Sequence, residues 1–149
     1  MDEKLERDLS REGLEIAGSS KRIKAYVIDE MLITLIVMVA FWENFAKEEN
    51  IEVVIQTINS LFFVVIGLKV IYQTLFVYLY GATIGKIITK CMVVAYDDFS
   101  KPSLMASFIR ANGRIVSEMI FYVGFIWAFM NQERQTWHDK MARTLVLDV

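Results

Sequence analysis

Three blocks of apolar residues, each with acidic or basic side chains inside it, constrain this chain more than any other feature. The first covers about residues 25–42 and carries Asp29 and Glu30 near its start. The second begins between Ile51 and Thr57, ends near Tyr80, and contains Lys69 with Asn59, Gln73 and Thr74. The third covers about residues 115–130 and is interrupted by Glu118 and Gly124. Eighteen helical residues at ~1.5 Å each span about 27 Å, close to one hydrocarbon thickness. The chain is 55% hydrophobic over 149 residues, with mean hydropathy +0.39. Soluble domains hold about 45–50% apolar residues. The excess sits in the three blocks, so they read as membrane spans rather than as one large core.

The expected fold is an all-α membrane protein with three transmembrane segments, near 25–42, 53–80 and 115–130. An N-terminal segment, 1–22, precedes a transmembrane domain, 23–149. That segment holds five Lys/Arg and six Asp/Glu. Leu5, Leu9 and Ile16 share roughly one helical face, which suggests a short amphipathic helix at the membrane surface or a solvated tail. No signal peptide precedes the first block. Tyr72, Tyr78 and Tyr80 read as interface anchors of the second span. Gly113 reads as a hinge before the third.

Lys and Arg counts orient the spans. Six lie up to Lys24, one in 43–52 and five in 81–114. The N-terminus and the second loop are therefore expected in the cytoplasm. Three full crossings put the tail on the opposite face. Two β-like runs, 91–96 and 144–149, point the other way. They would pair as a small hairpin-like element, because a lone strand leaves backbone groups unsatisfied. Pairing needs a cytoplasmic tail and a third segment that is re-entrant or broken near Gly124.

Several chemistries are disfavoured. A net charge of −2 gives no sign of a nucleic-acid partner. Cys91 and His138 are the only residues of their kinds, so no metal cluster or cofactor is expected. Gly81-Ala82-Thr83-Ile84-Gly85-Lys86 lacks phosphate-loop spacing and reads as a tight turn at a membrane exit. Trp137-His138-Asp139 has no nucleophile placed to join it, so no enzyme is expected.

The buried charges remain. A charge near mid-membrane costs about 2.5–3.5 kcal/mol on insertion scales and needs a partner or a use. Helical rise puts Asp29 ~6 Å inside the cytoplasmic face and Lys69 about 16 Å from it. Glu118 lies one turn past Arg114. Asp29, Glu30, Lys69, Gln73 and Glu118 are thus expected in one layer of the inner half, as a cavity for an ion, proton or polar solute, as ion pairs that orient the helices, or with Asp29 and Glu30 snorkelling to the interface. Arg22, seven residues before Asp29, shares its face.

These residues together resemble the Arg-Asp-Asp (RDD) family of membrane proteins. The matching pieces are Arg22-x-x-Ala25-x-x-Ile28-Asp29, Gly81-x-Thr83-x-Gly85-Lys86 and Val93-Val94 before a turn. Arg110 follows, then His138-Asp139-Lys140-Met141-Ala142-x-Thr144-x-Val146. The resemblance covers about residues 20–149, and the order and spacing of the pieces make it specific. Ile84, Asp98 and Arg143 depart from the common pattern, where proline, glycine and glycine are usual. The family's naming residues map to Arg22, Asp29 and Asp139. The resemblance implies a role in transport, with cation/proton exchange suggested for some members.

Two functions follow. One is a secondary transporter or exchanger for a small solute or cation, in the inner membrane of a bacterium, with Asp29 as the binding carboxylate. Three short spans enclose a pathway poorly, so a homo-oligomer is expected. The other is a membrane scaffold or accessory subunit that binds a partner through 81–114 and the tail.

Overall fold

The computed structural model describes residues 3–46, 50–120 and 135–149. The helices are α1 (Glu3–Glu12), α2 (Ser19–Ala40), α3 (Trp42–Ala46), α4 (Ile51–Tyr80), α5 (Ile84–Ile88), α6 (Leu104–Met119) and α7 (Trp137–Met141). The strands are β1 (Glu15–Ile16), β2 (Cys91–Ala95) and β3 (Thr144–Asp148).

α4 is the long axis of the molecule. Its 30 residues rise about 45 Å. Asn50 caps its start by accepting from the Glu52 amide at 2.9 Å. Gly81 ends it in the left-handed region at φ +69°, where a side chain would be strained. Among the described residues, α4 is the one helix long and apolar enough to cross a membrane. α2 is shorter and begins at Ser19, six residues before the expected span.

The polarity of the helices is inverted. Phe62, Phe63, Ile71, Leu75 and Leu79 on α4 are exposed, as are Met31, Leu35 and Val39 on α2. Inside lie Asp29, Gln73, Thr74 and the face of α6 made of Ser107, Arg110, Arg114 and Ser117. Those α6 residues recur at three- and four-residue spacing, which is one helical face. An apolar exterior around a polar interior suits lipid, which solvates the outside while internal bonds satisfy the inside.

α6 corrects one expectation. It runs unbroken through Gly113, so that glycine is not a hinge. It is the place where α7 comes closest: an added Cβ would lie 2.9 Å from His138 Cβ. The third span is visible only as the end of α6, and residues 121–130 lie outside the described residues.

A small sheet stands beside the C-terminal end of α4, in the order β1-β3-β2. β3 is central and antiparallel to both neighbours, with Val93 opposite Val146 and Ile16 opposite Leu147. The two β-like runs do pair, but across about fifty residues rather than as a hairpin. The tail therefore lies on the same side as β2, and a tail on the opposite face of a membrane is not compatible with these ladder bonds. β1 joins through pairs that the sequence reading did not anticipate.

Both faces of the sheet are covered. Leu5 and Leu9 of α1 pack on Val94, Leu145 and Leu147. The apolar side of α1 thus meets the sheet rather than a lipid surface. On the other face, Ala17 and Val77 meet Cys91, Val93 and Val146. This is why β3 is buried at four successive positions and lacks an alternating pattern. Leu145→Ala should destabilise the purified protein by about 2–5 kcal/mol in an equilibrium unfolding titration, because Leu145 is fully enclosed.

Candidate functional site

Three connected groups of charged residues fill the polar interior. The first is built on Asp29, which α2 presents on the same face as Ala25 and Ile33. Its Oδ1 accepts from Tyr72 Oη at 2.8 Å and from the Gly85 amide at 2.8 Å. Its Oδ2 accepts from Thr83 Oγ1 at 2.7 Å. Tyr72 Oη accepts in turn from the Ile84 amide at 3.0 Å. One carboxylate thereby ties α2 and α4 to the turn that leads into α5. The approach is close enough to require glycine, since a Cβ at Gly85 would fall 2.1 Å from the Ala25 carbonyl oxygen.

The second group is a ring of alternating charge. Lys69 Nζ lies 2.7 Å from Glu30 Oε2 and 3.0 Å from Glu118 Oε2. Arg114 closes the ring, with Nη2 2.9 Å from Glu30 Oε1 and Nε 3.1 Å from Glu118 Oε1. Each acid meets both bases. Arg114 also stacks over the Tyr26 ring at 4.6 Å and has Nη1 3.9 Å from Asp29 Oδ2, which joins the first group to the second. Glu30 retains 25% of its side-chain exposure and Lys69 17%, against 1% for Asp29.

The third group centres on Asp139 of α7. Its Oδ1 pairs with Arg110 Nη1, and its Oδ2 lies 3.4 Å from Arg22 Nη1. Oδ2 also accepts from the Thr136 amide at 3.1 Å, half of a capping box that starts α7. Arg110 donates to Thr144 Oγ1 at 3.0 Å. Arg22 donates to the carbonyls of Ala17 at 3.2 Å and Val146 at 3.1 Å. One acid thus binds α2, α6, α7 and β3. His138 is buried beside it, and burial among Arg110, Arg114, Lys86 and Arg22 holds its pKa well below the ordinary value, so it is neutral.

The model of the RDD family matches residues 16–143. The chain belongs to the RDD family. No curated protein and no solved structure was found to match it. RDD is a membrane family, so the exposed apolar face of this chain meets the lipid bilayer. The positions that the resemblance maps to the family's name lie in two of the groups: Asp29 is the centre of one, and Arg22 with Asp139 lies in another. The other motif residues support them. Gly81 caps α4, Thr83 and Gly85 bind Asp29, Arg110 binds Asp139, and His138 packs on Gly113.

Of the layer expected from helical rise, Glu30, Lys69 and Glu118 bond directly. Asp29 borders the ring through Arg114, while Gln73 is buried but takes no part in these bonds. Two members were missed. Arg114 had been noted only as a neighbour of Glu118, although its four-residue spacing was the available signal. Tyr72, expected as an interface anchor, is buried and donates to Asp29. Its position one turn from Lys69, on the charged face of α4, was the clue.

Lys86 has a different status. It is buried on α5, and among the described residues no carboxylate lies within ion-pair distance of its amine. Burial first, then Arg110, opposed by Asp29, pushes its pKa down to about 7.

Gly85→Ala should cost about 1–3 kcal/mol in unfolding experiments, because the Ala25 carbonyl must move. Gly67→Ala, with nothing within 4 Å, should be neutral or mildly stabilising. Lys86 also gives a pH dependence. Between about pH 7 and the ordinary lysine value of 10.5, the unfolded chain binds a proton that the folded chain lacks, so folded stability rises with pH. Below about pH 7 the whole penalty of burying the charge is present. Lys86→Met should therefore be more stable than the parent at pH 6, by on the order of a few kcal/mol. That advantage should fade toward pH 10 in thermal unfolding scans.

Proposed function

We propose that this RDD protein is a small secondary transporter, a cation/proton exchanger, that works as a homo-oligomer in the cytoplasmic membrane with its N-terminus inside. The ring of Glu30, Lys69, Glu118 and Arg114 carries this reading. It is an ionised group of four held between spans, where charge is expensive and is kept for a use. It also keeps some exposure, unlike the two buried aspartates.

The ring suggests a displacement mechanism. Lys69 acts as a tethered cation at the two glutamates. An arriving hard cation takes oxygens from Glu30 and Glu118, as such ions prefer, and Lys69 moves aside. Asp29, the carboxylate first expected to do this, already accepts three hydrogen bonds, so the role passes to the two glutamates. A homo-oligomer supplies the walls that so few helices lack, with the exposed apolar faces of α2 and α4 available for contact between copies.

The scaffold reading draws on one feature of the same ring: each acid is already neutralised, as in a lock between helices. Flux separates the two. In liposomes with a pH-sensitive dye inside, a sodium or potassium gradient should drive proton movement. Glu118→Gln should lower the rate at least about tenfold, with size-exclusion behaviour unchanged. Equal rates in parent and empty liposomes, with stoichiometric co-purification of a larger membrane protein, would establish the scaffold instead.

A further inference from the structure

Among the described residues, the interior holds five bases and four acids. Arg22, Lys69, Lys86, Arg110 and Arg114 stand against Asp29, Glu30, Glu118 and Asp139. Arg22 and Arg110 share Asp139. Lys69 and Arg114 share Glu30 and Glu118, and Arg114 also borders Asp29. Lys86 is the surplus. It lies on α5, whose Gly85 amide is bonded to Asp29, and is nine-tenths buried.

We propose that Lys86 is the proton-carrying group of this protein, a buried amine that alternates between the ammonium and the neutral amine while the other interior charges stay as they are. The step is balanced by water: Nζ releases one proton to solvent and keeps its lone pair, and uptake reverses this.

Its surroundings single it out. α2 brings Arg22 and Asp29 toward it, α6 brings Arg110 and Arg114, and α7 brings His138. α4 contributes Tyr72 at the Ile84 amide, and β2 begins with Cys91 just after α5. The guanidiniums do not lose protons in the working range of a cell. Asp29 and Asp139 are held as acceptors by several donors each, and His138 is neutral throughout that range. What is left is an amine with no acid partner among the described residues, beside three guanidiniums that repel its charged form. Its pKa of about 7 agrees with that placement.

The link to cation exchange rests on the function proposed above. Arg114 acts on Lys86 and is also a member of the ring. A protonated Lys86 makes the interior positive by one charge and disfavours a second cation at Glu30 and Glu118. Loss of that proton removes the surplus and favours the cation. The sign is antiport, one proton out for one cation in.

The test uses the full chain in lipid nanodiscs, with 15N-labelled lysine. The Nζ resonance of Lys86, assigned by its loss in Lys86→Arg, should titrate with a midpoint near pH 7. A Lys86 amine still charged at pH 9 overturns the proposal. A midpoint that moves upward when chloride or phosphate is added also overturns it, since an anion would then balance the charge. In proteoliposomes, Lys86→Met and Lys86→Arg should each lose cation-driven proton movement at least tenfold. Unchanged pH dependence in either variant overturns the proton-carrying role. Should both variants fail to fold, the parent decides without assignment: a spectrum in which no lysine Nζ resonance titrates near pH 7 overturns the proposal. Titration near pH 7 in a protein that moves no cation would leave Lys86 as a proton site and remove the exchanger reading instead.

Discussion

Asp139 lies between two guanidiniums that arrive from helices far apart in sequence, and most of the arrangement follows from that contact. A buried carboxylate is tolerated where opposite charge and hydrogen bonds surround it. Here Arg22 comes from the start of α2 and Arg110 from α6. Both also bond to β3 or its flank, at Val146 and Thr144. The acid therefore fixes where the sheet sits against the helices. Without it, Arg22 and Arg110 would lose the acid they share inside the protein, and that loss is what makes such positions intolerant of change.

Above this junction the interior is organised as the reverse of a water-soluble core. Apolar side chains on α2 and α4 face outward, and the ionised and hydroxylated ones face inward. In water such a surface would bind something or aggregate. In lipid it needs no cover, but every polar group inside then needs a partner. The chain meets that demand for Asp29 and the ring by sharing: Asp29 serves three donors, and the ring serves four side chains with four short contacts. The close approach of Gly85 to Ala25 is part of the same economy of space.

Much of this was legible in the sequence. Rise per residue alone placed Glu30, Lys69 and Glu118 at similar depth, and they do bond. Turn residues and apolar runs revealed α4, the turn at Gly81 and the two long strands. Depth is not direction, however. Rise does not say which way a side chain points around the helix, so depth alone neither draws Arg114 into the ring, nor turns Tyr72 from an interface anchor to an inward donor, nor excludes Gln73. A strand of two residues has no periodicity to read, which hid β1. Gly113 looked like a break because glycine's local preference is ambiguous. Its tertiary reason, room for His138, lies on another helix. In the sequence Lys86 stands only at the end of a tight turn and within the family motif, and only the pairing of the other described charges exposes it as the odd one.

The partners in the ring are also separated in the order of synthesis. Asp29 and Glu30 leave the ribosome about forty residues before Lys69 and more than eighty before Arg114. The acids must therefore wait, near the lipid headgroups or in the insertion machinery, until their bases emerge. β3, the middle strand, is made about fifty residues after β2, so the sheet and the contacts of Asp139 come last. During biogenesis the helices are thus threaded first and neutralised afterwards, and a chain still short of Asp139 lacks the acid that draws Arg22 and Arg110 together.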